Sequence, residues 1–377
     1  MSAHPFLQGR QIVLLSSVDW SAAWQRHHAW AEQFAAAGAE VFFVENTGFR
    51  GLRWKDAGRV FSRLGRLFAP PAPARLRVVA PGVLPPTAPA FRALNAAFLV
   101  PALVRKLRGL GLRLGPTVVA YLPTATTLSI LDALSPSAVV YDCAAFFHAH
   151  PNPPYDLELT ETALLKRSDL VLTDAHTLFG IYRGRHPHVL EVHHGVSEEF
   201  FLPPPKPGGP YKKLCYFGTV WSALDFAALE ALAGAGFEVT LLGPVKEAPR
   251  LPGSIRVLPA VSHEELPRAL SGCDALLLPY AMTPFSQGVI PAKTYECLAT
   301  GRPVIAAPLP ALKPLGGLLY WASSPAEYAD VARKLGETES SERVAARLQA
   351  ARGCSTSAQF AKIAAALEAA LYGRHEN

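Results

Sequence analysis

The chain has 377 residues, more than one hydrophobic core ordinarily holds, so two domains are expected. Apolar residues make up 50% and charged residues 18%, which supplies material for large cores and excludes a disordered chain. The net charge of +6 is local: from Arg50 to Arg77 eight basic residues stand against the single acid Asp56, and the rest is close to neutral.

Cys143, Cys215, Cys273, Cys297 and Cys354 are far apart, odd in number and without a C-x-x-C, so neither a disulfide framework nor a zinc site is expected. No run of about 18 uncharged apolar residues occurs, and the N-terminus lacks a basic-then-apolar leader. The expected location is therefore cytoplasmic, with reduced and mostly buried thiols.

Taken in order, Ile12–Leu15 reads as a buried strand, the next residues as a helix carrying Trp24, Trp30 and Phe34 and closed by Gly38, and Val41–Val44 as a second strand. Strand, helix and strand at that spacing make a βαβ unit and hence a parallel sheet. Such sheets bind ligands beyond the carboxyl ends of their strands, which makes Ser17, Asp19, Trp20 and Arg26 candidates for an acceptor site. The stretch 49–68 interleaves aromatic and aliphatic residues with arginines, and from Val60 on the apolar positions recur at helical spacing. That pattern suits a peripheral contact with an anionic membrane; a solvated face over a core stripe is the bland alternative. No nucleic-acid-binding module surrounds it, so no nucleic-acid partner is expected.

The alternation continues through a strand at 76–79, a helix at Ala90–Arg108, a strand at Thr117–Leu122, a helix at 126–134 and a strand at 138–142. The last of these runs into D-C-A-A-F-F-H-A-H, where Asp142, His148 and His150 cluster past a strand end. His148 is a candidate catalytic residue and His150 an acceptor contact, because imidazole is the side chain most easily poised near neutral pH. The two histidines lack a third ligand at chelating spacing, so no metal is expected. Residues 203–210, rich in Pro and Gly, read as a linker.

Beyond it, strands ending at Gly218-Thr219 and at Gly243, a capping box at Ser262 and Glu265, and the strand Asp274–Tyr280 repeat the same logic. No G-x-G-x-x-G or Walker loop is present, so NAD-type and ATP-type readings have no motif support. The stretch 284–306 then carries a polar Gly loop (Ser286, Gln287, Gly288), a helix expected from Pro291 with Lys293 and Glu296 on one face, Gly301, and a strand. A cation and a carboxylate so placed could hold the diphosphate and ribose of a nucleotide, or form an ordinary surface ion pair.

The string P-x-K-x-Y-E-x-L-A-x-G-x-P-V, Pro291 to Val304, resembles the donor-binding segment of family-4 glycosyltransferases of the GT-B type. The W-Q-R-x-x-x-x-A opening at Trp24 resembles the teichuronic-acid-type branch of that family. His194-Gly195-Val196-Ser197 stands where the family usually has Asn-Gly-Val-Asp. The resemblance implies an α/β fold of two Rossmann-like doubly wound domains facing each other across a cleft. The expected division is 1–202 for the acceptor, 203–210 as linker, 211–355 for the donor, and a helix at 356–377 crossing back. It implies transfer of a sugar from a UDP- or GDP-sugar to a glycan or lipid-linked acceptor in polysaccharide biosynthesis, with retention, without a metal or other cofactor, at the inner face of the cell membrane. Lys293 and Glu296 are then catalytic or ribose-binding, and Gly218, Thr219, Gly243, Ser262, Ser286, Gln287 and Gly288 line the donor. Two departures stand out. Gly288 occupies the place of the family's first Glu, and the loop after Gly218 lacks the Arg and Lys that clamp the diphosphate. These departures keep open a non-catalytic binding module, or a sugar-nucleotide epimerase, on the same fold.

Overall fold

The computed structural model describes residues 4–22, 24–49, 74–150, 153–204, 206–246, 249–283, 286 and 290–372. Most of the basic stretch 49–68, together with Gln287 and Gly288, lies outside them.

Short strands built mainly of Val, Leu, Ile and aromatic residues need both faces covered, and the chain meets that need twice with parallel sheets. The first sheet has seven strands: β1 (Gln11–Leu15), β2 (Glu40–Val44), β3 (Leu76–Val79), β4 (Thr117–Ala120), β5 (Ala138–Cys143), β6 (Leu170–Thr173) and β7 (Val189–Glu191). Their order is β3-β2-β1-β4-β5-β6-β7, all parallel. One face packs Val13, Phe42, Val118 and Tyr141 under α3 (Val100–Gly109), α4 (Ala125–Leu134) and α5 (Leu157–Arg167). The other packs Ile12, Leu14, Phe43 and Val119 against Trp30 and Phe34 of α1 (Arg26–Ala36). The helix expected over Ala90–Arg108 forms, but as α2 (Pro89–Leu94) and α3 joined by a π-helical turn at Asn95–Leu99. The turn places the Asn95 amide inside, where it exchanges hydrogen bonds with the Leu84 backbone at 2.9 and 2.7 Å.

The second sheet has six strands: β8 (Lys213–Phe217), β9 (Glu238–Leu242), β10 (Ile255–Leu258), β11 (Ala275–Leu278), β12 (Val304–Ala306) and β13 (Tyr320–Trp321). They are ordered β10-β9-β8-β11-β12-β13, again parallel. Between and after them run α6 (His176–Tyr182, preceding β7), α7 (Phe226–Gly234), α8 (Leu266–Leu270), α9 (Thr294–Ala299), α10 (Pro325–Thr338), α11 (Ser341–Gly353) and α12 (Thr356–Tyr372). Asp225, Ser324 and Ser340 cap α7, α10 and α11 by accepting from backbone N–H groups one turn on.

By contacts the chain divides into unit 1, residues 1–174, 178–192 and 360–377, and unit 2, residues 175–177 and 193–359. The change of unit after 192 falls ten residues before the Pro-rich segment. Its cause is a short stitch: Val196 N donates to Cys354 O at 3.0 Å, and Thr356 N to Val196 O at 2.9 Å. Gly195 permits it, because a Cβ there would meet Thr356 Oγ1 at 2.7 Å. In each sheet the strand order reverses once, beside β1 and β4 in unit 1 and beside β8 and β11 in unit 2. Doubly wound sheets hold ligands at the carboxyl edge of such a switch point.

Candidate functional site

In unit 2 three elements meet at the switch point. β8 ends at Phe217 and passes into Gly218 at φ +113°, β9 passes into Gly243 at φ +149°, and β11 leads through Pro279 to Tyr280. A Cβ on Gly243 would stand 2.2 Å from Gly218 O, so the two strand ends touch through backbone that no side chain could separate. Over Gly218 lies the ammonium of Lys293, 2.7 Å from where a Cβ would be. Lys293 Nζ donates to Tyr280 Oη at 2.9 Å and Tyr216 Oη at 3.2 Å, and it stands 4.6 Å from the Tyr216 ring centroid. Tyr216 in turn donates to Thr219 O at 2.9 Å.

This arrangement keeps a cation without an anion. Burial opposes the charge, but the Tyr280 and Tyr216 oxygens favour it by more, and they hold the ammonium above the ordinary lysine value. Burial pushes the Tyr216 phenol up against the pull of Lys293, so it remains an O–H donor. Among the described residues no carboxylate pairs with Lys293, and its third N–H has no acceptor. Half-buried, Lys293 lies at the edge of the site with no carboxylate among the described residues to share its charge.

The helix that follows Lys293 is shorter than expected, with Lys293 at its N-cap. It begins at Thr294, not Pro291, because Thr294 N and Oγ1 both bond back to Pro291 O at 2.9 and 2.7 Å and close a turn first. With six residues its dipole adds little, and the positive charge at this edge is the lysine's own. Glu296, one turn on, is half-buried, and its Oε1 accepts from His263 Nε2 at 2.9 Å. The His263 ring packs 5.2 Å from that of Phe200. Ser262 and Glu265 do exchange the reciprocal bonds of a capping box, at 3.2 and 3.3 Å, but on an exposed turn that precedes α8. That turn presents His263 to the site while the Ser262 hydroxyl stays on Glu265 Oε2 at 2.8 Å. Ser286 is likewise occupied, its Oγ donating to Ala281 O at 2.7 Å and accepting from Thr283 N at 2.8 Å.

The structure therefore brings Gly218, Thr219, Gly243 and Lys293 together at one edge and sets Glu296 a helical turn away. Tyr216, Tyr280 and His263 belong to the same group, and the sequence does not reveal them. A tyrosine two residues before a strand-end Gly carries no motif, and its role exists only once β8 and β11 are neighbours.

In unit 1 the expected acceptor residues separate. Arg26 has no exposed side-chain surface; its guanidinium pairs with Asp142 at 2.8 Å and donates to Val192 O at 2.9 Å. It has no free face, so its part is structural, and assigning it to the acceptor is incorrect. Burial alone would lower its pKa, and Asp142 and Asp174 more than restore it. Trp20 is also a core residue, with its ring edge-on to Phe43 at 5.0 Å. Ser17 and Asp19 do stand half-buried at the carboxyl end of β1, with Ser17 Oγ 2.8 Å from His27 Nε2.

His148 lies in a 3₁₀ turn after β5, and its Nε2 donates to Glu161 Oε2 at 2.8 Å. Glu161 is wholly buried and also accepts from Tyr141 at 2.9 Å, Tyr182 at 2.5 Å and Arg185 at 2.9 Å. This buried carboxylate orients the imidazole, and no sequence pattern announces it because its donors are scattered over separate segments of the chain. The other ring nitrogen faces the exposed Glu158 at 3.6 Å. His150 is half-buried against the edge of Phe49 at 5.3 Å. Among the described residues no three His, Cys, Asp or Glu side chains are grouped to hold a metal ion.

No family model matches the chain. Over 107 residues it is 32% identical to TuaH of Bacillus subtilis (strain 168), named as a putative teichuronic acid biosynthesis glycosyltransferase; the match covers 26% of this chain and 27% of that protein. The solved structures it resembles are alike along nearly their whole length at low identity. HepE of Anabaena in complex with UDP superposes with a TM-score of 0.65 at 12% identity, covering 96% of this chain and all of that one. A mutant of S. aureus TarM, in complex with fondaparinux, α-GlcNAc-glycerol and UDP, gives 0.61 at 8% identity over 95% and 99%. Os79 of O. sativa with UDP gives 0.60 at 13% identity over 94% and 99%. The chain has the fold of the GT-B glycosyltransferases.

Proposed function

We propose that the chain is a hexosyltransferase that moves a sugar from a nucleotide-sugar donor, UDP- or GDP-linked, to a glycan or lipid-linked acceptor in polysaccharide biosynthesis. The observation that carries this reading is the Lys293 ammonium, half-buried among phenol rings over Gly218 at the switch point of unit 2, with no carboxylate partner among the described residues. A site built that way lacks one component, an anion, and a diphosphate supplies it. UDP in HepE, TarM and Os79 agrees in kind.

In this reading the bond between the anomeric carbon and the diphosphate oxygen breaks, and its electron pair leaves on that oxygen. Lys293 stabilises the charge that develops there, with help from the backbone of Gly218 and Thr219. Glu296, with one oxygen held by His263, offers the other to the ribose hydroxyls. Gly243 lets its strand end pack against Gly218 and so sets the donor edge, and the turns of Ser262 and Ser286 flank the site, with Gln287 and Gly288 adding donor contacts. The acceptor oxygen bonds to the anomeric carbon with net retention, and its proton passes to the departing diphosphate oxygen. His148, Ser17, Asp19 and His150 serve the acceptor in unit 1. His148 keeps Nε2 on Glu161 and exchanges its contact with Glu158 for a sugar hydroxyl. One ammonium at the leaving group makes a metal unnecessary, and activity should survive EDTA. The basic aromatic stretch 49–68 is proposed to hold the protein against the inner face of the membrane, where a lipid-linked acceptor resides.

The departure at Gly288 favours a second reading, a module that binds donor without transferring it, or an epimerase. A thermal-shift screen against UDP-, GDP- and dTDP-sugars separates donor binding from none, since ligand at about 100 times its Kd stabilises by about 2.7 kcal/mol. Turnover is then measured with and without acceptor. Binding with no turnover under any acceptor supports the module, and conversion without acceptor supports the epimerase. No stabilisation by any of the three donors refutes the proposal.

A further inference from the structure

Helices of globular units turn apolar residues inward, and the α2–α3 rod of unit 1 does so only on one side. Val100, Leu103, Val104 and Leu107 enter the core, and Asn95, a polar residue, is also inside. On the outer side stand Phe91, Leu94 and Phe98, the last 66% exposed, followed by the exposed Pro101, Ala102, Arg105 and Arg108. These positions recur at three- and four-residue spacing and form one outward stripe, apolar in its first half and basic in its second. Leu110 is exposed beyond it, and Leu114, 80% exposed, continues the protrusions beside Arg113. At the other end the Arg92 guanidinium, neutralised by Asp156, stacks 4.1 Å over the exposed Tyr155 and links the stripe to Leu159.

From residue 74 to Leu131 the chain has no acidic residue and seven basic ones, of which Arg105 and Arg108 stand on the stripe. The charge that this segment brings to the face is thus of one sign. Large apolar side chains that stand out singly, next to positive charge, match a surface that is soft, apolar a few ångströms down and anionic on top. We infer that the α2–α3 rod is a membrane-binding face that inserts Phe91, Leu94 and Phe98 among anionic lipids while Arg105 and Arg108 meet the head groups. Each basic residue near such a surface strengthens partitioning about fivefold, and each buried aromatic adds to it. This face is distinct in sequence from the 49–68 contact and does not depend on the transferase reading.

The test is co-sedimentation of the full chain with vesicles of phosphatidylcholine alone or mixed with phosphatidylglycerol, without donor or acceptor. Wild type should bind the mixed vesicles at least about tenfold better than the neutral ones, as Arg105 and Arg108 at the surface require. Phe98→Asp, on an exposed side chain, should keep the circular dichroism spectrum and lose at least about tenfold in binding. The double variant Arg105→Gln, Arg108→Gln should lose a similar factor and its dependence on phosphatidylglycerol. Arg63→Gln with Arg66→Gln, in the other stretch, should leave a dependence on Phe98 intact. Unchanged binding in Phe98→Asp overturns the inference. So does lipid-free self-association of wild type that Phe98→Asp abolishes, which would assign the face to a second copy of the chain.

Discussion

Replacing Lys293 with Met keeps most of the length of the side chain and removes its charge and donors. A unit charge about 4 Å from a phosphate oxygen at an effective dielectric of about 20 contributes about 4 kcal/mol. The desolvation of the ammonium is already met in the free protein by Tyr216 and Tyr280, so most of that interaction should appear as binding. Allowing for the half-open side of the site, about 3 kcal/mol should be lost, or roughly two orders of magnitude in affinity for UDP at about 1.36 kcal/mol per decade. Stability should hold or rise slightly, because the substitution removes a half-buried charge without orphaning another. Tyr216 still donates to Thr219 O. Calorimetric titration with UDP and with uridine gives the readout. The variant should lose affinity for UDP and bind uridine as wild type does. Equal affinity for UDP in a folded Lys293→Met would refute the argument that this ammonium meets the diphosphate.

Gly243→Ala would place a Cβ 2.2 Å from Gly218 O at a φ of +149°, and should destabilise unit 2 by about 3 kcal/mol or more; urea unfolding measures it. His263→Phe keeps packing against Phe200 but frees Glu296, so UDP affinity should fall about fivefold, as for one part-exposed charged hydrogen bond. The same substitution should leave 2′,3′-dideoxy-UDP unaffected, and an equal loss for both ligands would count against the ribose role. Among the thiols, burial pushes Cys143 up to about 12, whereas a hydrogen bond from Cys215 lowers half-buried Cys273, aided by Arg302. The thiolate is the reactive form and its fraction falls as pH drops below the pKa. Iodoacetamide at a pH of about 7.5 should therefore modify Cys273 before the buried Cys143, Cys215 and Cys297, by peptide mapping, at a rate that increases with pH.

Much of unit 2 is readable in one dimension. Strand-end glycines at 218 and 243 are local signals, since a left-handed residue after a buried strand needs no partner to be recognised. The three-residue spacing of Lys293 and Glu296 is legible too, although the structure puts Lys293 at the N-cap and only Glu296 in the helix. The start of that helix is not legible, because Thr294 bonds back to Pro291, a competition between side chain and backbone that periodicity does not register. In unit 1 the expectation that Arg26 and Trp20 contact the acceptor fails for another reason. Position past a strand end says that a residue is near the ligand edge, not which way it turns, and Asp142, 116 residues away, turns Arg26 inward.

The sequence by itself determined the alternation of strand and helix, two parallel sheets and the glycines that end their strands, because these depend on periodicity and on residues within a turn of each other. Tertiary structure decided that Lys293 stands between tyrosines 77 and 13 residues away and that Glu296 is held by a histidine 33 residues before it. The pairing of Lys293 with the two tyrosines follows from β8 lying beside β11. Strand order is chosen by the packing of whole helices on whole sheets, and no spacing of residues along the chain encodes it.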